Sequence, residues 1–96
     1  MDNCPPEADL PWADTSMYYY VYVLKNKRGE LYKGLTQNPE TRVQDHNEGK
    51  VRSTKNGRPW SLVYFEGFVS KKSARKEELF LKSGKGRERL KYLLNE

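Results

Sequence analysis

Arg42 and His46 stand four residues apart in NPETRVQDHNEG, a stretch opened by Asn38-Pro39. On a helix that spacing puts both side chains on one face. The face carries an arginine and the chain's single histidine, while Val43 is nearly the only large apolar residue of the stretch. A guanidinium presents a planar fork to phosphate oxygens, and an imidazole exchanges a proton near neutral pH. A helix that starts at Pro39 also aims unpaired N–H groups and a partial positive charge at whatever precedes it. Ahead of it lie Tyr22 and Tyr32, whose phenols can handle a water proton. Farther on, Glu77 and Glu78 offer carboxylates. The chemistry these types allow is the handling of a phosphate anion and of a water beside it. Taken singly, each is also what a solvated helix face or a packed strand carries.

The elements that must bring them together follow from local pattern. Tyr and Val dominate residues 18–24, which predicts a strand. Asn26-Lys27-Arg28-Gly29 predicts a turn, with the glycine at positive φ, and residues 31–36 return as the second strand of a hairpin. Asn38 is a good N-cap, Pro39 a good first helical residue, Glu40 suits the first turn, and Gly49 can end the helix left-handed. Residues 49–59 form a polar, basic loop. Residues 60–68 resume strand character, and there both alternating sets are largely apolar, which predicts a strand covered on both faces at the centre of the sheet. Ser70 caps a helix over residues 71–82, Ser83-Gly84-Lys85-Gly86 breaks it, and Leu90, Leu93 and Leu94 mark a third helix. The expected fold is α+β, a small, mainly antiparallel three-stranded sheet flanked by helices in the order β-β-α-β-α-α.

A chain of 96 residues supports one small domain. Seven Tyr, three Phe and two Trp can build its core. One cysteine, Cys4, excludes an internal disulfide and a cysteine-based zinc cluster. Residues 1–16 contain Asp2, Glu7, Asp9 and Asp14, three prolines and no Lys or Arg, and are expected to be a disordered acidic tail before a domain at residues 17–96. Setting those four acids aside from the formal +5 leaves +9 on residues 17–96, an excess that suits a polyanion, above all nucleic acid. Two basic clusters stand out: Lys50, Arg52, Lys55 and Arg58 in the loop, and Lys82, Lys85, Arg87 and Arg89 near the C-terminus. The first residues lack the basic and apolar regions of a secretory signal, and no apolar run approaches the ~20 residues of a membrane span, so a cytoplasmic protein is expected.

The motifs at this spacing resemble those of the GIY-YIG endonuclease family, most closely small stand-alone members related to the N-terminal nuclease domain of the excision-repair subunit UvrC. The first name-giving tripeptide appears as Tyr20-Val21-Tyr22 and the second as Tyr32-Lys33-Gly34. Gly34-Leu35-Thr36 matches the family's strand exit, Asn38 to Arg42 its helix start, and His46 a frequent histidine four residues on. ARKEELFLKSGKGRERL resembles the stretch carrying the acidic residue, and the resemblance covers about residues 17–92. Some members carry an asparagine shortly after that helix, where this chain has Gly86-Arg87-Glu88-Arg89.

The resemblance implies a metal-dependent endonuclease acting on DNA in repair or processing. Periodicity does not choose between Glu77 and Glu78, but the family register Glu-x-x-Leu-Lys matches Glu78 to Lys82 and selects Glu78 as the ligand of Mg²⁺ or Mn²⁺. By the same resemblance Arg42 holds the scissile phosphate, Tyr22 orients the attacking water or takes its proton, and Tyr32 bonds within that network. His46 moves a proton or binds phosphate. A phenol ionises near pH ~10, so proton abstraction by Tyr22 itself calls for a depressed pKa. Lys50, Arg52, Lys55, Arg58, Lys82 and Lys85 are the expected contacts to the DNA backbone. The rival reading is a non-catalytic nucleic-acid adaptor, or a subunit of a repair complex with the same fold.

Overall fold

The computed structural model describes residues 18–95. The expected tail of residues 1–16 lies outside them. The chain forms β1 (Tyr19–Asn26), β2 (Leu31–Thr36), α1 (Pro39–Asn47), a 3-10 helix (Arg52–Gly57), β3 (Trp60–Phe68), α2 (Lys71–Leu81) and α3 (Gly84–Leu93). The three strands make one antiparallel sheet in the order β2-β1-β3.

Local signals act where they were expected. Asn26 organises the hairpin: its side-chain oxygen accepts from the backbone N–H of Arg28 and Glu30, and Gly29 takes φ +80. The Asn38 side chain accepts from Thr41 N–H at the start of α1, with Pro39 in the first turn. At its end Gly49 adopts φ +81, and Lys50 N–H reaches back to the Asp45 carbonyl. Ser70 caps α2 by accepting from Ser73 N–H. The second break is tighter than expected. Only Lys82 and Ser83 separate the helical ends, as the C-cap of α2 and the N-cap of α3, and Gly86 lies inside the first turn of α3. A Cβ on Gly86 would run into the Phe80 carbonyl and lie 2.5 Å from Leu81 Cα, so this glycine lets α3 close onto the end of α2.

β1, not β3, is the central strand. Tyr20 to Leu24 are all buried, so β1 is covered on both faces. On one face Val21 and Val23 pack with Ala74, Leu81 and Leu90 from α2 and α3, with Leu31, Leu35, Tyr64 and Phe68 around them. On the other, Tyr22 and Leu24 pack with Trp60, Tyr32 and Val43 of α1. β3 is an edge strand, and its Leu62, Val63 and Phe65 remain 36–43 % exposed. A bulge explains the misleading pattern. Val23 pairs with Tyr64 but Leu24 pairs with Leu62, so Val63 is extra and the alternation of β3 changes parity there. Both sets read as apolar because the strand switches faces, not because both faces are covered. Among the described residues no helix is long and apolar enough to cross a membrane.

Candidate active site

The site is built on Tyr22. Its ring lies across β2 where Gly34 stands opposite it in the ladder. A Cβ on Gly34 would sit 2.5 Å from the Tyr22 Cζ and Oη, so only glycine lets the phenol reach this edge of the sheet. The hydroxyl bonds His46 Nε2 at 2.8 Å, and on the other side of the ring His46 Nδ1 bonds Thr54 Oγ1 at 2.7 Å. Thr54 donates its own proton to the Val51 carbonyl, which leaves its oxygen as an acceptor for Nδ1–H. Nε2 therefore carries the lone pair, and Tyr22 donates to it. The Tyr32 ring packs edge-on against His46 at 4.9 Å between centroids.

The supports of this chain come from distant segments. Trp60 Nε1–H donates to the Thr54 carbonyl, which fixes the 3-10 helix against β3. Asn47 locks the end of α1 to the start of β3: its Nδ2 donates to the Trp60 carbonyl, and its Oδ1 accepts from Trp60 N–H. His46, expected on a helix face beside Arg42, is thus fully buried, while the Arg42 side chain is 39 % exposed. Thr54 and Gly34 are functional positions that sequence reasoning missed or left without a role. No local pattern points to Thr54, since its importance arises from a contact eight residues away across a loop.

Burial pushes the Tyr22 pKa up to about 12, against the lowering influence of an Arg42 hydrogen bond, with Tyr32 and Glu78 adding to the rise. The depressed value that direct proton abstraction calls for is absent from the protein alone, and the phenol is neutral. Both Arg42 and Glu78 thus act on the charge of the Tyr22 hydroxyl, Arg42 lowering and Glu78 raising its pKa. His46 is held below the ordinary histidine pKa, first by burial and then by Arg42, with Asp45 opposing. It is a neutral proton acceptor near pH 7.

This depression has a stability consequence. Between the folded and unfolded pKa of His46, the unfolded chain binds more protons than the folded one. Stability should therefore hold above pH ~6.5 and fall as pH is lowered from there through the folded value. Chemical unfolding at a series of pH values should show this loss in the wild type and a flatter profile in His46→Gln.

Glu78 is buried, with Arg75 Nη1 on one carboxylate oxygen and Lys82 Nζ on the other, each at 3.1 Å. Both cations sit on largely exposed arms able to swing aside. Among the described residues no three His, Cys, Asp or Glu gather as a ready-made metal cage. A single hard carboxylate suits a hydrated Mg²⁺ or Mn²⁺ that takes its other ligands from water and phosphate, and it does not suit a structural zinc. Glu77 has a different neighbourhood: burial and then Glu66 raise its pKa, with Arg89 opposing. Of the two acids, Glu78 and not Glu77 acts on the charge of Tyr22.

The basic residues divide. Lys50 is taken up by Glu48 at 3.1 Å and Asp45 at 3.8 Å. Arg58 folds back onto the Lys55 carbonyl. Lys82 pairs with Glu78, while Arg52, Lys55 and Lys85 are exposed. Tyr20, at the first position of the first tripeptide, is accommodated by a glycine elsewhere. It pairs with Gly67 on β3, where a Cβ would come within 2.9 Å of the Tyr20 ring. The Tyr20 hydroxyl is buried with no hydrogen-bond partner among the described residues. An unmet buried hydroxyl costs ~1–3 kcal/mol, so Tyr20→Phe should stabilise the fold by about 1 kcal/mol in urea unfolding.

Residues 18–91 match the model of the GIY-YIG catalytic domain. A UPF0213 protein of Staphylococcus haemolyticus is 42 % identical over 76 residues, covering 78 % of this chain and 93 % of that one. A UPF0213 protein of Clostridium perfringens is 45 % identical over 64 residues, covering 66 % and 69 %. The solution NMR structure of a UPF0213 protein from Bacillus halodurans aligns with TM-score 0.51 at 35 % identity, covering 80 % of this chain and 85 % of that one. With residues 18–91 matched, this chain belongs to the GIY-YIG catalytic domain family.

Proposed function

We propose that the protein is a metal-dependent endonuclease that hydrolyses DNA phosphodiester bonds, in a repair or processing role in the cytoplasm. The observation that carries this reading is the buried chain Tyr22–His46–Thr54, whose Tyr22 hydroxyl feels the charges of Arg42 and the buried Glu78. A binding module has no need of a neutral imidazole buried behind a tyrosine, or of a buried carboxylate in a basic domain.

A raised Tyr22 pKa fits a relay better than a standing phenolate. Tyr22 passes its hydroxyl proton to His46 Nε2 as its oxygen accepts a proton from the attacking water. His46 becomes imidazolium, and Thr54 stays the acceptor of Nδ1–H, so the ring does not turn. The resulting hydroxide attacks phosphorus, and the departing oxygen takes a proton from solvent. His46 then returns its proton to Tyr22 as the phenol releases its own to water, which restores the starting state. Arg42 holds the phosphate through its fork and offsets the charge that builds on it. Glu78 would hold Mg²⁺ or Mn²⁺, which would neutralise phosphate charge and lower the pKa of a bound water.

The test is cleavage of a panel of duplex, flap, branched and single-stranded DNA with Mg²⁺ or Mn²⁺. Metal-dependent cutting of any member is the expected result. Binding without cutting on every member, under either metal, replaces the nuclease by the adaptor.

A further inference from the structure

A cavity of about 500 Å³ opens between the β1–β2 turn and the 3-10 helix. Arg28 and Glu30 line it from the turn, Ser53 and Asn56 from the 3-10 helix, and Tyr32 and Trp60 from the strands. Thr54 lines it too, so it opens where the Tyr22–His46–Thr54 chain ends. The Tyr32 and Trp60 rings stand 6.5 Å apart with 62° between their planes, and the Tyr32 ring lies 6.2 Å from that of Tyr22. The walls are fixed from behind: Trp60 Nε1–H holds the Thr54 carbonyl, and the 3-10 helix packs so close that a Cβ on Gly57 would sit 2.6 Å from the Trp60 ring. Such a cavity is formed before its ligand arrives. Its rim keeps unused hydrogen-bonding groups. The Ser53 hydroxyl and the Asn56 amide are exposed and have no partner among the described residues. Glu30 takes Asn26 Nδ2 at 2.7 Å and Arg28 Nη2 at 3.0 Å on one oxygen, Oε1, which leaves Oε2 open. The same two contacts hold its carboxyl below the usual carboxylate range, so at neutral pH it only accepts. A phosphate suits this place poorly, because Arg28 is already paired and Glu30 repels an anion. Aromatic walls with an amide, a hydroxyl and an acceptor at the rim suit a planar heterocycle, held by stacking and by bonds to its edge.

We propose that this cavity binds an unpaired nucleobase of the substrate strand, beside the phosphate that Arg42 holds, and selects a base that carries an amino group. The proposal rests on the nuclease reading for its ligand and names the substrate class of that site, a strand with a base free of pairing. The base stacks on Tyr32, with Trp60 closing the inner end. Asn56 and Ser53 bond its edge, and Glu30 Oε2 accepts from the amino group. Cytosine, adenine and guanine each offer that donor, whereas thymine presents carbonyl oxygens, which a carboxylate repels. A base inside a duplex must first leave its stack, a cost that a single strand or a flap does not carry.

The experiment measures binding of short oligo-dC, oligo-dT and an abasic strand of equal length to the full chain, in EDTA so that cleavage is not read. The three carry the same backbone charge, so phosphate contacts cancel in the comparison. The wild type should bind oligo-dT about tenfold more tightly than the abasic strand, through stacking, and oligo-dC about fivefold more tightly again, through the edge bonds. Glu30→Gln can still accept from Asn26 and Arg28 on its remaining oxygen, and its new NH₂ can donate to thymine, so the preference for oligo-dC should vanish. Asn56→Ala, at an exposed position with no protein partner, should weaken binding of oligo-dC and leave the abasic strand unchanged. Equal affinity of the wild type for all three strands would overturn the base site and leave the nuclease reading intact. A preference for oligo-dC that survives in both variants would place base recognition elsewhere and overturn it too. Failure of the wild type to bind any of the strands at any salt would sink both readings.

Discussion

Glu78→Gln is expected to reduce metal-supported cleavage by about 10³-fold, the scale lost when one charge-stabilising group leaves a hydrolytic site. The substitution keeps the shape of the side chain and removes the charge a hard cation requires. DNA binding should persist or tighten, because Arg75 and Lys82 are released from the carboxylate and an acid near phosphate is gone. Glu77→Gln should cut like the wild type. Its carboxyl group faces Glu66, and removing its charge relieves a like-charge contact. Cleavage rate and filter-bound DNA at one salt concentration, measured for both variants, decide the matter. Loss of cleavage in Glu77→Gln alone would move the ligand back by one residue and overturn the assignment.

Arg42→Ala should lower turnover by about 10²–10³-fold and weaken DNA binding as well, because it removes a phosphate contact and the charge that offsets the transition state. It carries a second signature that a general loss of folding would not produce. Arg42 depresses the His46 pKa and lowers that of Tyr22 through a hydrogen bond. Without it, His46 should titrate at higher pH, which NMR of the single histidine can follow. The acid limb of the pH–rate profile should move up with it, since protonated His46 cannot accept from Tyr22. Arg42→Lys should restore the His46 titration but not full turnover, because an ammonium supplies charge without the two-pronged fork. An unshifted His46 in Arg42→Ala would show that the guanidinium does not act on the Tyr22–His46 pair.

The parts of this protein legible in its sequence are those whose cause lies within a few residues. Asn38 caps α1 three residues on, Gly29 and Gly49 supply left-handed backbone where a turn and a helix end need it, and Ser70 starts α2. Such requirements act through backbone geometry and survive in any tertiary setting. The order of elements follows from them, and the spacing of Tyr22, Tyr32, Arg42 and His46 carries the family. Packing across the sheet decided the rest. Pattern alone made β3 central, because a bulge at Val63 that changes its parity depends on pairing with β1. Periodicity left Glu77 and Glu78 equal, and only the docking of α2 buried Glu78 between Arg75 and Lys82, where its charge reaches Tyr22, and set Glu77 under the influence of Glu66. Gly34 and Gly67 make room for Tyr22 and Tyr20 from neighbouring strands, and Thr54 sets the tautomer of His46 from within a polar loop. Each of these is a fit between atoms far apart along the chain, which no local propensity encodes and only the closed fold brings within reach.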